Sequence, residues 1–261
     1  AFVAAVLAEH GRVDILINNA GRSIRRAIEH SYDRFHDYER TIQINYFAPM
    51  RLALRVLPGM SARRSGHVIN ISSMGVLGPP ARFSAYVASK SALEGWTRCA
   101  EVEYANRKVH FTNINMPLVR TPMIGPTKVY DYAPALTPEE AAEMVVDAVI
   151  HKPSRVATDM GRFQQVWNLI SPKSYASSMN GMFRMFDEPV AERPRSALTD
   201  GREAGPTAEP GREPSSEQVA LAALSEKGNV DADADVDVFF NIATQHVAQC
   251  LRDQRYQVLV G

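Results

Sequence analysis

GHVINISSMGVLGPPARFSAYVASKSALE, residues 66–94, decides how this chain is read. It opens as a buried strand ending in serines, continues as a Gly/Pro-rich loop, and becomes a helix near Ser84. That helix carries Tyr86 and Lys90 one turn apart. Residues four apart on a helix lie on one face, so the phenol and the ammonium meet at one point. Ser73 stands where the strand gives out. The loop Gly75–Arg82 folds the chain back so that Ser73 faces Tyr86. A hydroxyl, a phenol and an ammonium converging at the carboxyl end of a strand form a proton-transfer site.

Spacing alone is weak support, since a Tyr-x-x-x-Lys pair arises by chance about once per several hundred residues. The chain holds its own control in Tyr104 and Lys108, with Ser91 as far before Tyr104 as Ser73 lies before Tyr86. Ser91 and Tyr104 share one helix in this reading, and at 1.5 Å rise per residue they stand about 20 Å apart. They do not converge, and Tyr104/Lys108 is expected to be a surface pair near a helix end.

Working outward, residues 2–10 read as a short helix stopped by Gly11. Val13–Ile17 is a continuous β-branched run, as in a strand buried on both faces of a parallel sheet. It ends in Asn18-Asn19-Ala20-Gly21, a polar break suited to a ligand edge. Residues 33–63 read as a long helix interrupted by Pro49 and Pro58. His67–Ile71 and His110–Asn115 are further strands, and a helix spans Ser84 to about Asn106. Thr137-Pro138-Glu139-Glu140 is a helix start, with a Thr cap, Pro at the first position and two acids in the first turn. That helix runs to His151, and Arg155–Thr158 follows as a short strand. Residues 162–187 read as helical and rich in Met and aromatics. Strand and helix alternate, which argues for a parallel α/β sheet with right-handed crossovers.

The 261 residues are 45% apolar with zero formal net charge, so there is enough apolar material for a core and no bulk attraction to nucleic acid. Two cysteines, Cys99 and Cys250, are too few for a disulfide framework and fit a reducing, cytoplasmic setting. No apolar run approaches the length of about 18 residues that a membrane span needs. Residues 188–216 are Pro-, Gly- and charge-rich and read as a disordered linker, with 217–261 as a helical tail. Within the tail, Asp231, Asp233, Asp235 and Asp237 do not make a calcium loop, because Val236 or Val238 falls where Gly is needed and Ile242 or Thr244 where Glu is needed. No metal site is expected.

The joint motifs resemble the short-chain dehydrogenase/reductase family. Asn18-Asn19-Ala20-Gly21 matches its NNAG, Asn45 falls where the family places a helix Asn, Ile71-Ser72-Ser73 ends a strand with the family serine, and Tyr86–Lys90 matches its YxxxK. Pro117 and Thr121 match the segment that closes over the nicotinamide. The resemblance covers residues 1–187. It implies a Rossmann-type doubly wound α/β sheet and an oxidoreductase using NADP or NAD. In that role Tyr86 is the proton donor. Lys90 brings its phenol, ordinarily near pKa ~10, closer to working pH and hydrogen-bonds the nicotinamide ribose. Ser73 holds the substrate oxygen and Asn45 positions a water. Asn18, Ala20 and Gly21 line the cofactor cleft, although Asn18 and Asn19 have a second reading as ties between strands.

Residues 115–128 resemble the reductase domain of bacterial fatty acyl-CoA reductases, and the Met- and aromatic-rich stretch 163–186 suits a long apolar substrate or simply packs on the sheet. Two departures stand out. Leu118 occupies a position where many members have Gly. No G-x-x-x-G-x-G or G-x-G-x-x-G turn occurs in the sequence, so the phosphate-binding element is absent from these residues. With Ala1-Phe2 opening on a helix already under way, the expectation is a domain that begins upstream and lacks its first strands here. The rival expectation is a non-catalytic structural or interaction piece. Self-association through helices 33–63 and 84–106 is also expected.

Overall fold

The computed structural model describes residues 2–121, 133–185 and 258–260. The linker 188–216, the tail read as helical over 217–261 except for residues 258–260, and the Asp231–Asp237 run lie outside the described residues. Helix α1 (Phe2–His10) stops at Gly11, whose φ of 75° is the left-handed conformation that glycine adopts without strain. Strand β1 (Ile15–Asn18) starts two residues later than the apolar run suggests, with Val13 buried ahead of it.

The long helix 33–63 is three pieces. Helices α2 (Phe35–Ile42) and α3 (Ala48–Ala62) are joined by a π-helical turn, Gln43–Phe47. Pro49 has no N–H to give the carbonyl four residues back, which is that of Asn45. The wider π turn forms where that α-helical bond is missing. Strand β2 (Gly66–Ser73) leads directly into a one-turn helix, α4 (Met74–Leu77), and then α5 (Ser84–Tyr104). Strand β3 (Val109–Met116) follows. Helix α6 (Pro138–His151) carries the full capping box, with Thr137 Oγ1 accepting from Glu140 N and Glu140 Oε2 accepting from Thr137 N. After β4 (Arg155–Ala157), the stretch read as one helix is two, α7 (Asp159–Ile170) and α8 (Pro172–Met185), broken at Ser171. Val258–Val260, within the stretch 217–261 read as a helical tail, form a further strand, β5, and the helical reading is corrected there: these residues pair with the edge of β1.

The sheet has five parallel strands in the order β4-β3-β2-β1-β5. Ile15, Ile17, Ile69 and Ile114 point to one face, where α6 covers them with Ala142, Val145, Ala148 and Val149. The other face carries rows of side chains set by the register. Leu16, Val68 and Phe111 form an apolar row under α3 and α5. The next row toward the carboxyl ends is Asn18, Asn70 and Asn113, and the next is Ser72 and Asn115. These polar residues are as buried as the apolar ones. One sheet face thus turns from hydrocarbon to hydrogen-bonding groups along its length, and the site lies at the polar end. At the opposite end α3 comes so close that a Cβ on Gly66 would sit 2.5 Å from Met60 Cγ. No helix among the described residues is long and apolar enough to cross a membrane.

Candidate active site

Helix α5 runs back over the polar end of the sheet and presents Lys90, Glu94 and Thr97 to it. Lys90 is buried, and its Nζ donates to the Ile71 carbonyl at 2.8 Å, two residues before Ser73. Burial pulls the Lys90 ammonium down from its ordinary 10.5 to about 8, while the Glu94 charge raises it. Lys90 is therefore still cationic at neutral pH. Tyr86 lies one turn before it on the same face, its ring edge-on to Phe83 with centroids 6.5 Å apart. Its carbonyl accepts from Ser89 Oγ at 2.7 Å.

Ser73 caps the one-turn helix α4, its Oγ accepting from Gly75 N at 3.1 Å. That bond uses a lone pair and leaves the hydroxyl proton for another partner. A Cβ on Gly75 would lie 3.4 Å from Ser73 Oγ and 3.7 Å from Val87 Cγ2, so α4 brings Ser73 up to the first turn of α5. The Gly/Pro stretch folds back as expected, though through a helical turn and not a plain loop.

Asn45, on the π turn, is fully buried. Its Oδ1 accepts from Arg22 N at 2.8 Å, and its Nδ2 donates to Arg22 O at 2.8 Å and to Ser89 Oγ at 2.9 Å. It thereby joins the loop after β1 to α5. Gly21 sits between them. A Cβ there would be 3.2 Å from Lys90 Nζ and 3.3 Å from Asn45 Oδ1, so this position keeps a gap beside the ammonium. Ala20 precedes Gly21 on the same loop. Asn18 Nδ2 donates to Asn70 Oδ1 at 2.7 Å, which is the strand-tie reading of that asparagine. Pro117 follows β3 directly, and Thr121 Oγ1 reaches the Val119 carbonyl at 3.5 Å. Leu118 and Leu136 pair through their backbones, while Pro122, Met123, Pro126, Thr127 and Lys128 lie outside the described residues.

Tyr104, by contrast, packs edge-on against Phe111, centroids 6.0 Å apart, and lies against the core. The expectation of a surface pair holds for Lys108, which is exposed, and is corrected for Tyr104, which is half-buried. Ser91 and Tyr104 share α5, so they do not converge.

Sequence reasoning missed Glu94, Arg155, Ser72, Asn115, Asn70, Thr97 and Ser89. Glu94 Oε1 accepts from Ser72 Oγ at 2.5 Å and Asn115 Nδ2 at 2.6 Å, and Oε2 accepts from Arg155 Nη2 at 2.9 Å. Asn70 Nδ2 donates to Thr97 Oγ1 at 2.9 Å. Two signals were present: the stripe Tyr86, Lys90, Glu94 at four-residue intervals, and polar residues at every second position of Asn70-Ile71-Ser72 and Asn113-Ile114-Asn115.

Comparison with known proteins bears on this arrangement. The short chain dehydrogenase family model matches residues 1–129. A fatty acyl-CoA reductase of Acinetobacter baylyi is 52% identical over 186 residues, covering 71% of this chain and 63% of that protein. An uncharacterized oxidoreductase of Mycobacterium tuberculosis is 46% identical over 198 residues, covering 76% of this chain and 58% of its own length. The chain thus spans about three fifths of the length of these relatives. Among solved structures, a short-chain dehydrogenase from Streptomyces avermitilis superposes with a TM-score of 0.57 at 29% identity, covering 71% of this chain and 75% of that one. One from Burkholderia cenocepacia in complex with NADP has a TM-score of 0.60 at 20% identity, covering 68% and 73%, a likeness of fold. Sheet order, a helix carrying Tyr86 and Lys90 one turn apart with Lys90 on the strand that ends in Ser73, and these matches agree: the chain belongs to the short-chain dehydrogenase/reductase family.

Proposed function

We propose that this chain carries the proton-transfer half of an NAD(P)H-dependent reductase acting on a carbonyl or fatty acyl group of the acyl-CoA type. The observation that carries the reading is Lys90 Nζ held on the Ile71 carbonyl, with Tyr86 one turn away and Ser73 two residues along the strand. The residues fit the nicotinamide end of a cofactor: Gly21 keeps a gap beside Lys90 that a Cβ would fill. Gly21, Ala20, Lys90, Pro117 and Thr121 would hold it, and Asn18, behind them, would set the loop through Asn70. The nicotinamide, when bound, supplies the hydride. Ser73 donates its free hydroxyl proton to the substrate oxygen and orients it. Tyr86 gives that oxygen a proton. The Lys90 ammonium stabilises the phenolate left behind, and Asn45 holds the path by which Lys90 meets solvent through a water. The apolar surface of α7 and α8, including Phe163, Met182 and Met185, suits a long acyl chain. The likeness to fatty acyl-CoA reductases supports the same substrate class.

A second reading, an interaction piece without catalysis, is favoured by one observation: these 261 residues contain no Gly-rich phosphate turn. Titrating NADPH and NADH into the chain while following nicotinamide fluorescence separates the two. Saturable binding is expected; its absence removes the enzyme reading for this chain. We also assign self-association to α2–α3 and α5, where Leu54 and Val102 are exposed, in a cytoplasmic setting.

A further inference from the structure

Glu94 is 3% exposed, in a helix–sheet seam where an apolar side chain would pack at far lower desolvation cost. A buried carboxylate persists only when its oxygens are satisfied, and here three strands supply the donors. Ser72 comes from β2, Asn115 from β3 and Arg155 from β4, and all three reach one side chain of α5. The Asn115 amide also donates to the Ser73 carbonyl at 3.1 Å, so the same cluster holds the backbone of the serine. Glu94 is one turn beyond Lys90 and two beyond Tyr86, on the same helix face.

We propose that Glu94 is a positioning residue for this site: its carboxylate, gripped by Ser72, Asn115 and Arg155, clamps α5 onto the ends of three strands and fixes Tyr86 and Lys90 relative to Ser73. Family members need the helix and the strand ends in register to within a fraction of an ångström for proton transfer, and loose apolar packing gives no directional constraint. A three-donor carboxylate does. Its charge has a second effect, since it opposes the desolvation of Lys90. Arg155, from β4, faces Glu94 and offsets part of that charge, and Tyr86 is the other titratable group on this face of α5. The Ile71 carbonyl, Gly21 and the Asn45 amide, which β2, the loop after β1 and the π turn bring near Lys90, are uncharged.

The inference rests on the reductase reading, and its test separates the two. Glu94→Gln, Glu94→Asp and Arg155→Gln are made in the full chain. The Lys90 titration is followed by NMR of ¹³C-labelled lysine, assigned with Lys90→Arg, and NADPH-dependent turnover of a long-chain acyl-CoA is measured alongside. Glu94→Gln should move the Lys90 titration down by about one pH unit. Arg155→Gln should move it up, because the carboxylate then acts on Lys90 without compensation. Both should lower kcat by about tenfold or more with KM for NADPH within about threefold, and Glu94→Asp should recover most of the loss. A Lys90 titration that stays put in both variants, with only the melting temperature lowered, overturns the proposal. So does unchanged kcat. If Glu94→Gln fails to fold, the upward shift in Arg155→Gln decides. A wild type without turnover counts against the reductase reading, while the opposed NMR shifts still test the clamp.

Discussion

At the scale of single residues, the molecule keeps polar groups where ordinary packing would exclude them. Lys90 and Glu94 do so beside the site, and His67 does so at the far end of the sheet. His67 is buried, its Nε2 at 2.8 Å from Thr112 Oγ1. Thr112 gives its own proton to the Pro153 carbonyl, so His67 Nε2 is the donor to Thr112. Burial, helped by the charges of His110 and Lys152, pushes the imidazole down from 6.5 to about 3. The unfolded chain binds this proton below its ordinary value and the folded chain does not. This residue therefore costs nothing above pH 6.5, and stability is lost progressively as pH falls from there toward 3. Between pH 7 and pH 5 the loss is about 2 kcal/mol at 1.36 kcal/mol per unit. His67→Gln, which keeps a donor for Thr112, should shrink the pH 7 to pH 5 difference in urea-derived stability by about that amount. An unchanged difference would mean the imidazole is not held neutral. None of this was legible in the residue alone. A histidine at the head of a strand signals neither burial nor partner. The proton-transfer residues were legible because their spacing is local; the four-residue stripe also marked the position of Glu94, but not its role, because its partners come from residues 72, 115 and 155.

At the scale of elements, legibility follows how local the determining interactions are. The start of α6 was fully readable, since a capping box is written within four residues. Thr137→Ala should remove the bond to Glu140 N and cost about 1 kcal/mol, lowering the melting temperature by about 2–4 °C, as calorimetry would measure. A melting point unchanged to within a degree would contradict the cap. The π turn at Gln43–Phe47 was hidden because one inserted residue barely disturbs an apolar periodicity, although Pro49 was its visible cause. The break at Ser171 was missed for the same reason, since α7 and α8 are both amphipathic and only the turn between them is irregular. The extra residue of the π turn also has a consequence for the site. It directs Asn45 to Arg22 and Ser89 together, which a regular helix would not do without rotating everything after it by about 100°.

At the scale of the whole molecule, the sheet order was only half readable. Alternating elements implied parallel strands, and β1 to β4 obey that. The neighbour of β1 on its other side is β5, from the last residues of the chain, with Ile15, Leu16 and Ile17 opposite Val258, Leu259 and Val260. Three residues carry no periodic signal, and the pairing spans nearly the full length of the sequence, so nothing local announces it. A free apolar strand edge invites association with other chains, and β5 covers the outer edge of β1. Deleting residues 258–261 should leave that edge open. The variant should then run as larger species on gel filtration with light scattering, with a lower melting temperature than the parent. A monodisperse deletion variant with unchanged melting would remove β5 from this role.

Proton donation by Tyr86 is the central step proposed for this site, and one measurement addresses it directly. Steady-state NADPH oxidation with a long-chain acyl-CoA is compared between the wild type and Tyr86→Phe, with NADPH affinity measured by fluorescence in parallel. Loss of a general acid lowers turnover by about 10²–10⁴-fold. With Tyr86 as the proton donor, kcat should fall by at least about 100-fold while NADPH affinity stays within about threefold of wild type. Turnover in Tyr86→Phe within about threefold of wild type would contradict it.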